Sequence, residues 1–174
     1  MLDENELNQL EQWTNRKCSE VIFDSNKDDW NQNTSVFDDK IYGKSNLMFV
    51  IEDENNNKFG GYITSTINQT CTYHTDNNAF VFSLKSNGRI NGMKKFSIKE
   101  PQYAFYLYQK SDSSHLFYIG AGVDVGVHKK NNRNAGWCND QSSFNYEGIS
   151  NALCGKLGYD SPYTMKRFVV IQMK

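Results

Sequence analysis

The sequence predicts a mainly β fold of α+β type: a two-sheet antiparallel β-sandwich flanked by a few short helices. Three observations predict it. About seven short segments rich in Val, Ile, Phe and Tyr recur along the 174 residues, Asn, Gly, Asp and Ser clusters separate them, and helical periodicity is confined to the N-terminus. Ten Tyr, eleven Phe and three Trp supply the volume for a core between two sheets.

Residues 3 to 17 read as a helix, with Leu7, Leu10 and Trp13 at three-residue steps, Asp3 placed to cap and acids in the first turn. The helix is expected to lie against an edge or end of the sandwich. Leu47 to Ile51 and Phe59 to Ile67 form a hairpin across the polar turn EDENNNK at 52 to 58. Ala79 to Leu84 is a strand ended by Ser86-Asn87-Gly88, where both Asn and Gly tolerate positive φ. Tyr103 to Gln109 (YAFYLYQ) is apolar on both faces and is therefore expected to be a central strand. Leu116 to Ile119 and Val123 to Val127 flank Gly120-Ala121-Gly122, a tight connection, and Phe168 to Met173 closes the chain as a strand. The division expected is residues 1–18 as a helix packing on the domain and 19–174 as the sandwich, one domain overall.

Composition narrows the function. The longest apolar run has about five residues where a membrane-spanning helix needs about 20, so no membrane insertion is expected. The start MLDENELNQLEQ is acidic and polar, unlike a secretory leader, which predicts an intracellular protein, cytoplasmic first and nuclear second. Cys18, Cys71, Cys138 and Cys154 stand at wide intervals with no C-x-x-C pair, so neither a metal site nor a disulfide framework is expected. The net charge of −1 hides a polarity: residues 1 to 60 hold 13 Asp and Glu against 6 Lys and Arg, whereas residues 85 to 135 hold 3 against 9.

No segment satisfies a catalytic or cofactor pattern. Gly43-Lys44-Ser45 ends like a phosphate-binding loop, but Asp38 stands where that loop needs Gly. Asp53, Asn55 and Asn57 begin like a calcium loop that lacks its Gly and its bidentate Glu, and they read as a polar hairpin tip. His74, His115 and His128, with Cys138 beside Asp140, are ingredients of nucleophilic catalysis without an elbow motif to assemble them. The expectation is no enzyme, no catalytic residue, no cofactor and no metal. Asp124 is a polar residue suited either to a site or to a buried turn. The basic residues Lys94, Lys95, His128, Lys129, Lys130 and Arg133 are the candidate contact surface for a polyanion or protein, although a pI near 6.3 is low for a dedicated nucleic-acid binder. Cys138 and Cys154 are the candidate redox thiols, which requires exposure and a lowered pKa.

Taken in order, several segments resemble the TLDc domain family in an Asn-rich version. They are SEVIFDSNKDDW, the stretch Phe37 to Leu47 containing Lys40-Ile41 and Gly43-Lys44-Ser45-Asn46-Leu47, V-I-x-D-E-N at 50 to 55, Phe59-Gly60-Gly61-Tyr62 and Phe80-Val81-Phe82-Ser83-Leu84. Ile119-Gly120-Ala121-Gly122 with Asp124, SSFNYEG at 142 to 148, Asn151-Ala152-Leu153 and KRFVVIQM at 166 to 173 complete the resemblance, which runs from about Ser19 to Met173. It implies a β-sandwich flanked by helices and a role in resistance to oxidative stress. It further implies a protein partner, the subunits of the vacuolar-type proton-pumping ATPase, and no catalytic residues to carry over. The matched positions also have their own physical readings. Gly60 and Gly61 are expected to allow a bulge or a close backbone approach, and Phe80 and Phe82 to anchor a core. The leading function is thus a non-enzymatic interaction domain of the oxidative stress response. The alternatives are a nucleic-acid-binding regulator of stress genes using the basic segment 85 to 133, and a cysteine-based redox sensor or scavenger.

Overall fold

The structure is a computed structural model that describes residues 1–130, 135–139, 141–155 and 162–174. Helix α1 (Glu4–Thr14) leads into β1 (Cys18–Asp24), the short α2 (Phe37–Ile41), and the hairpin β2 (Leu47–Asp53) and β3 (Lys58–Ile63). There follow β4 (Tyr73–His74), β5 (Phe80–Lys85), β6 (Lys94–Ser97), a 3-10 turn (Pro101–Tyr103), β7 (Phe105–Leu107), β8 (His115–Ile119), β9 (Val125–His128), β10 (Ala135–Trp137) and β11 (Tyr163–Met173). Hydrogen bonding runs in the order β4-β7-β8-β9-β10-β11-β2-β3-β5-β6, with β1 also on β11.

The long strand β11 belongs to both halves of this path. Tyr163 and Thr164 pair with β10, while Val169 to Met173 pair with β1 on that same side and Met165 to Gln172 pair with β2 on the other. Where β10 gives way to β1, Arg167 grips the buried Asp24 through Nε (3.0 Å) and a terminal nitrogen (2.7 Å), and this holds the Asp24 carboxyl below its usual range. The two halves then face each other: the Phe49 ring of β2 lies 5.1 Å from Phe105 of β7 and 5.0 Å from Phe117 of β8. The mainly β sandwich expected from the strand pattern is the architecture observed.

Alternation along the central strands divides the apolar residues between two clusters. Phe49, Ile51, Phe168 and Val170 point between the sheets, while Met48, Val50, Val169, Ile171 and Met173 point outward. The outward set is covered by α1, whose Leu10 is buried and whose Trp13 ring meets Phe80 (6.2 Å) and Phe82 (6.0 Å). The helix therefore lies across the outer face of the first sheet, formed by β1, β11, β2, β3, β5 and β6, and not at an edge or end. Its start is fixed by a reciprocal cap, Asp3 accepting from the Glu6 amide and Glu6 from the Asp3 amide, both at 2.9 Å. A half-buried ion pair, Lys58 to Glu6 at 2.8 Å, ties it to β3.

Other expectations are refined. The 52 to 58 turn closes on itself, Asn57 donating to Asp53 from its amide (2.9 Å) and its side chain (2.7 Å), which explains the Asp/Asn alternation there. Gly60 serves close approach: a Cβ there would sit 1.9 Å from the Phe49 carbonyl oxygen, while the irregularity on the β5 side falls at Lys58/Phe59. The segment 103 to 109 is not central. Only Phe105–Leu107 is strand, and its outer neighbour β4 is the two-residue edge. No helix among the described residues is long and apolar enough to cross a membrane.

Candidate functional site

The candidate basic surface does not assemble. Lys94 and Lys95 are consecutive on β6 and project to opposite sides: Lys94 pairs with Glu147 at 2.6 Å, whereas Lys95 lies 5.1 Å from the Phe80 ring centre and donates to the Trp13 carbonyl at 3.3 Å. His128 and Lys129 are 3% and 1% exposed at the end of β9, not in an exposed loop. The Lys129 ammonium sits among backbone carbonyls, donating to Lys110 (2.7 Å), Gln32 (3.3 Å) and Asp112. Burial pulls its pKa down while Asp38 and Asp112 oppose that fall. Asp38, on the buried side of α2, is itself pushed up to about 6 by burial in spite of Lys129. His128 packs at 3.8 Å from the Trp137 ring centre and 4.5 Å from His115. Of the run at 128 to 130 only Lys130 is exposed, and Arg133 lies outside the described residues. Arg89 is likewise turned inward, donating to the Asn151 (2.8 Å) and Leu153 (2.9 Å) carbonyls. Lys129 and Arg89 of the positive segment are thus solvated by backbone carbonyls, an internal use that charge counting reads as surface.

The candidate thiols do meet, but in the core. Cys138 and Cys154 are 1% and 2% exposed, and the Cys138 thiol lies against the Cys154 thiol and backbone. Burial pushes Cys138 well above the ordinary thiol range, the opposite of an activated nucleophile. Cys71, which no sequence signal singled out, is the exposed cysteine, and Cys18 packs on Met173 with 3.7 Å between sulfurs.

Asp124 is an internal tie. It is 1% exposed, accepts from the Tyr146 hydroxyl (2.8 Å) and the Ser143 amide (3.1 Å), and burial raises it to about 6. Gly120, at φ 83°, passes so close that a Cβ would fall 1.9 Å from an Asp124 carboxylate oxygen. The Ser143 hydroxyl accepts from the Ala121 amide (2.9 Å) and donates to Glu100 (3.3 Å). The Gly120-Ala121-Gly122, Asp124 and 142 to 148 motifs therefore converge to fasten one turn to one loop, with every oxygen of the acid occupied by a donor.

The feature that sequence reasoning missed is on the outer face of the second sheet. Directly paired residues share a face, and Tyr73, Tyr106, Tyr118, Gly126 and Trp137 are paired in turn across β4, β7, β8, β9 and β10. Their rings form a continuous array: Tyr73 to Tyr103 is 5.2 Å, Tyr73 to Tyr106 4.9 Å, Tyr106 to Tyr108 4.8 Å, and Tyr108 to Tyr118 5.0 Å. His115 stacks on Tyr108 at 4.5 Å and Tyr118 meets Trp137 at 5.8 Å. Tyr103 is 37% exposed, and Tyr73, Tyr106, Tyr108, Tyr118 and His115 are half-buried. Tyr73 is pushed up to about 12, by burial first and then by the crowding of the Tyr108, Tyr106 and Tyr103 phenols. Burial, then the Cys71 thiol, also raises Tyr106. This is a hydroxyl-bearing aromatic surface. It offers large contact area with little side-chain entropy to lose, the chemistry of a protein interface.

Comparison with known proteins gives one family. The model described as the TLDc domain matches residues 1–166, taking in α1 and the start of β11. No curated protein matches the chain.

Proposed function

The chain belongs to the TLDc domain family, which is linked to resistance against oxidative stress, and from that premise we propose a non-enzymatic interaction domain that docks a protein partner on the tyrosine face of its second sheet. The partner to seek first is the vacuolar-type proton-pumping ATPase, in the cytoplasm. One observation carries the reading: the first sheet has its outer face roofed by α1, while the second presents five tyrosines, half-buried or exposed, in ring contact. Dispersal of the cations weighs against a polyphosphate ligand, which needs several of them along one path. Burial of the Cys138 and Cys154 thiols weighs against a sensor built on them.

Affinity purification of the tagged protein with and without peroxide tests the reading, run beside Tyr106→Lys. Recovery of proton-pump subunits by the parent and their loss in the variant is the expected result. Co-purification of nucleic acid, equal for both, would replace it with the nucleic-acid reading.

A further inference from the structure

We propose that the cleft between the C-terminal end of α1 and strands β3, β5 and β6 binds a small phosphorylated sugar. It encloses about 510 Å³, within the roughly 300–1,000 Å³ usual for small-ligand sites, and is lined by Trp13, Arg16, Asn46, Tyr62, Asn78 and Lys95 among others. This site is independent of the tyrosine face and goes beyond the reading above.

Two cations stand on the cleft, Arg16 and Lys95. Each of its two cations has a chain neighbour that is neutralised, Lys17 by Glu11 at 2.5 Å and Lys94 by Glu147 at 2.6 Å. Arg16 and Lys95 themselves form no ion pair among the described residues, and both line the cleft. They are nevertheless held in place. The Arg16 guanidinium lies beside the Tyr62 hydroxyl, which hydrogen-bonds Asn46 at 3.2 Å, and Lys95 rests on the Phe80 ring and the Trp13 carbonyl. That last contact also occupies a carbonyl at the helix C-terminus, where the backbone otherwise repels an anion. The nearby carboxylate of Asp76 accepts from the Thr64, Ser65 and Asn78 amides and the Thr64 hydroxyl, so it acts as an internal cap.

The rest of the lining selects the body of the ligand. Asn46, Thr64, Asn77, Asn78 and Ser97 offer donors and acceptors together, matching hydroxyl groups and disfavouring an apolar molecule. Half-buried Trp13 gives a ring wall for the C–H face of a sugar. Two positioned cations match a phosphate dianion, to which Arg binds through paired N–H groups and Lys as a point charge.

Titration calorimetry with glucose 6-phosphate, glucose, glucuronate and inorganic phosphate tests this on the full chain. Glucose 6-phosphate is expected to bind saturably and more weakly as salt rises, glucose not at all, and phosphate and glucuronate more weakly than the ester. Arg16→Gln and Lys95→Gln are exposed changes expected to move the melting temperature by no more than about 2 °C and to cut affinity about tenfold or more, one charge-assisted contact each. The proposal is overturned if glucose 6-phosphate does not bind, or if both variants bind it as the parent does. Equal binding of inorganic phosphate overturns the sugar assignment, and equal binding of glucuronate overturns the phosphate assignment.

Discussion

The two outer faces of this sandwich are stabilised in different ways. On the first sheet, outward Met48, Val50, Val169 and Ile171 are roofed by a capped helix through Leu10 and Trp13, so that face is a second core. On the second sheet the outward row is tyrosine, no described helix lies over it, and the flanking loops are fastened by buried polar clasps, Lys129 among carbonyls and Asp124 among donors. A face closed by apolar burial leaves no broad surface for a protein partner, only the cleft at the end of the helix. The tyrosine face is instead held at its margins, and its rings stay half-buried or exposed.

The largest effect should come from opening the roof. Leu10→Ala removes a fully buried side chain between helix and sheet and is expected to cost about 3 kcal/mol, a fall of roughly 6–12 °C in melting temperature for a domain of this size. A fall of a degree or less by calorimetry would mean that α1 adds little to the fold. Next comes the clasp. Lys129→Met strands three carbonyls and should cost about 2 kcal/mol in denaturant unfolding, whereas exposed Lys130→Met should stay within about 0.5 kcal/mol. Equal effects would return Lys129 to the surface.

The acid beside that clasp gives a pH signature. The Asp38 carboxyl has a folded pKa of about 6 against the ordinary 3.8, so between those values the folded state holds the proton that the unfolded state has released. Its contribution to stability therefore grows as pH falls from about 6 to about 4, opposite in sign to Asp24, whose lowered pKa makes its contribution disappear on acidification. Subtracting the unfolding profile of Asp38→Asn should expose that rise, and a flat difference would place Asp38 in water. The smallest structural effect belongs to the open face: Tyr106→Ala should cost no more than about 1 kcal/mol, since its ring is only half-buried. A loss as large as that of Leu10→Ala would make the tyrosine row a core.

Much of the fold was legible because it rests on local pattern. The spacing of Leu10 and Trp13 behind Asp3 marked the helix, and unbroken apolar runs at 47 to 51 and 168 to 171 marked the central strands. Strands β4, β6 and β10, of two to four residues, have no period to read, and β1 exposes Ser19, Glu20 and Val21 in a row, so about seven strands were expected where eleven form among the described residues. Placing α1 over a face needed the sheet order, which sequence does not carry. The site was less legible. Lys129 reads as surface in any sequence, because its carbonyl partners lie at positions 32, 110 and 112 and the chain must fold to bring them together. Tyr106 and Tyr108 read as a second buried face because Tyr counts as apolar in a strand pattern, yet its ring and hydroxyl suit a face turned partly to water. Only the register of two strand pairs shows that Tyr73, Tyr106 and Tyr118 form one row.

We expect the protein partner to be recognised on the second sheet's outer face and not on the helical roof. Hydrogen exchange of the protein with and without the partner recovered by affinity purification tests it most directly. The expected result is added protection in β4, β7 and β8 and unchanged exchange in α1. Protection confined to α1 and the residues it covers, with β7 and β8 exchanging as in the free protein, would contradict it.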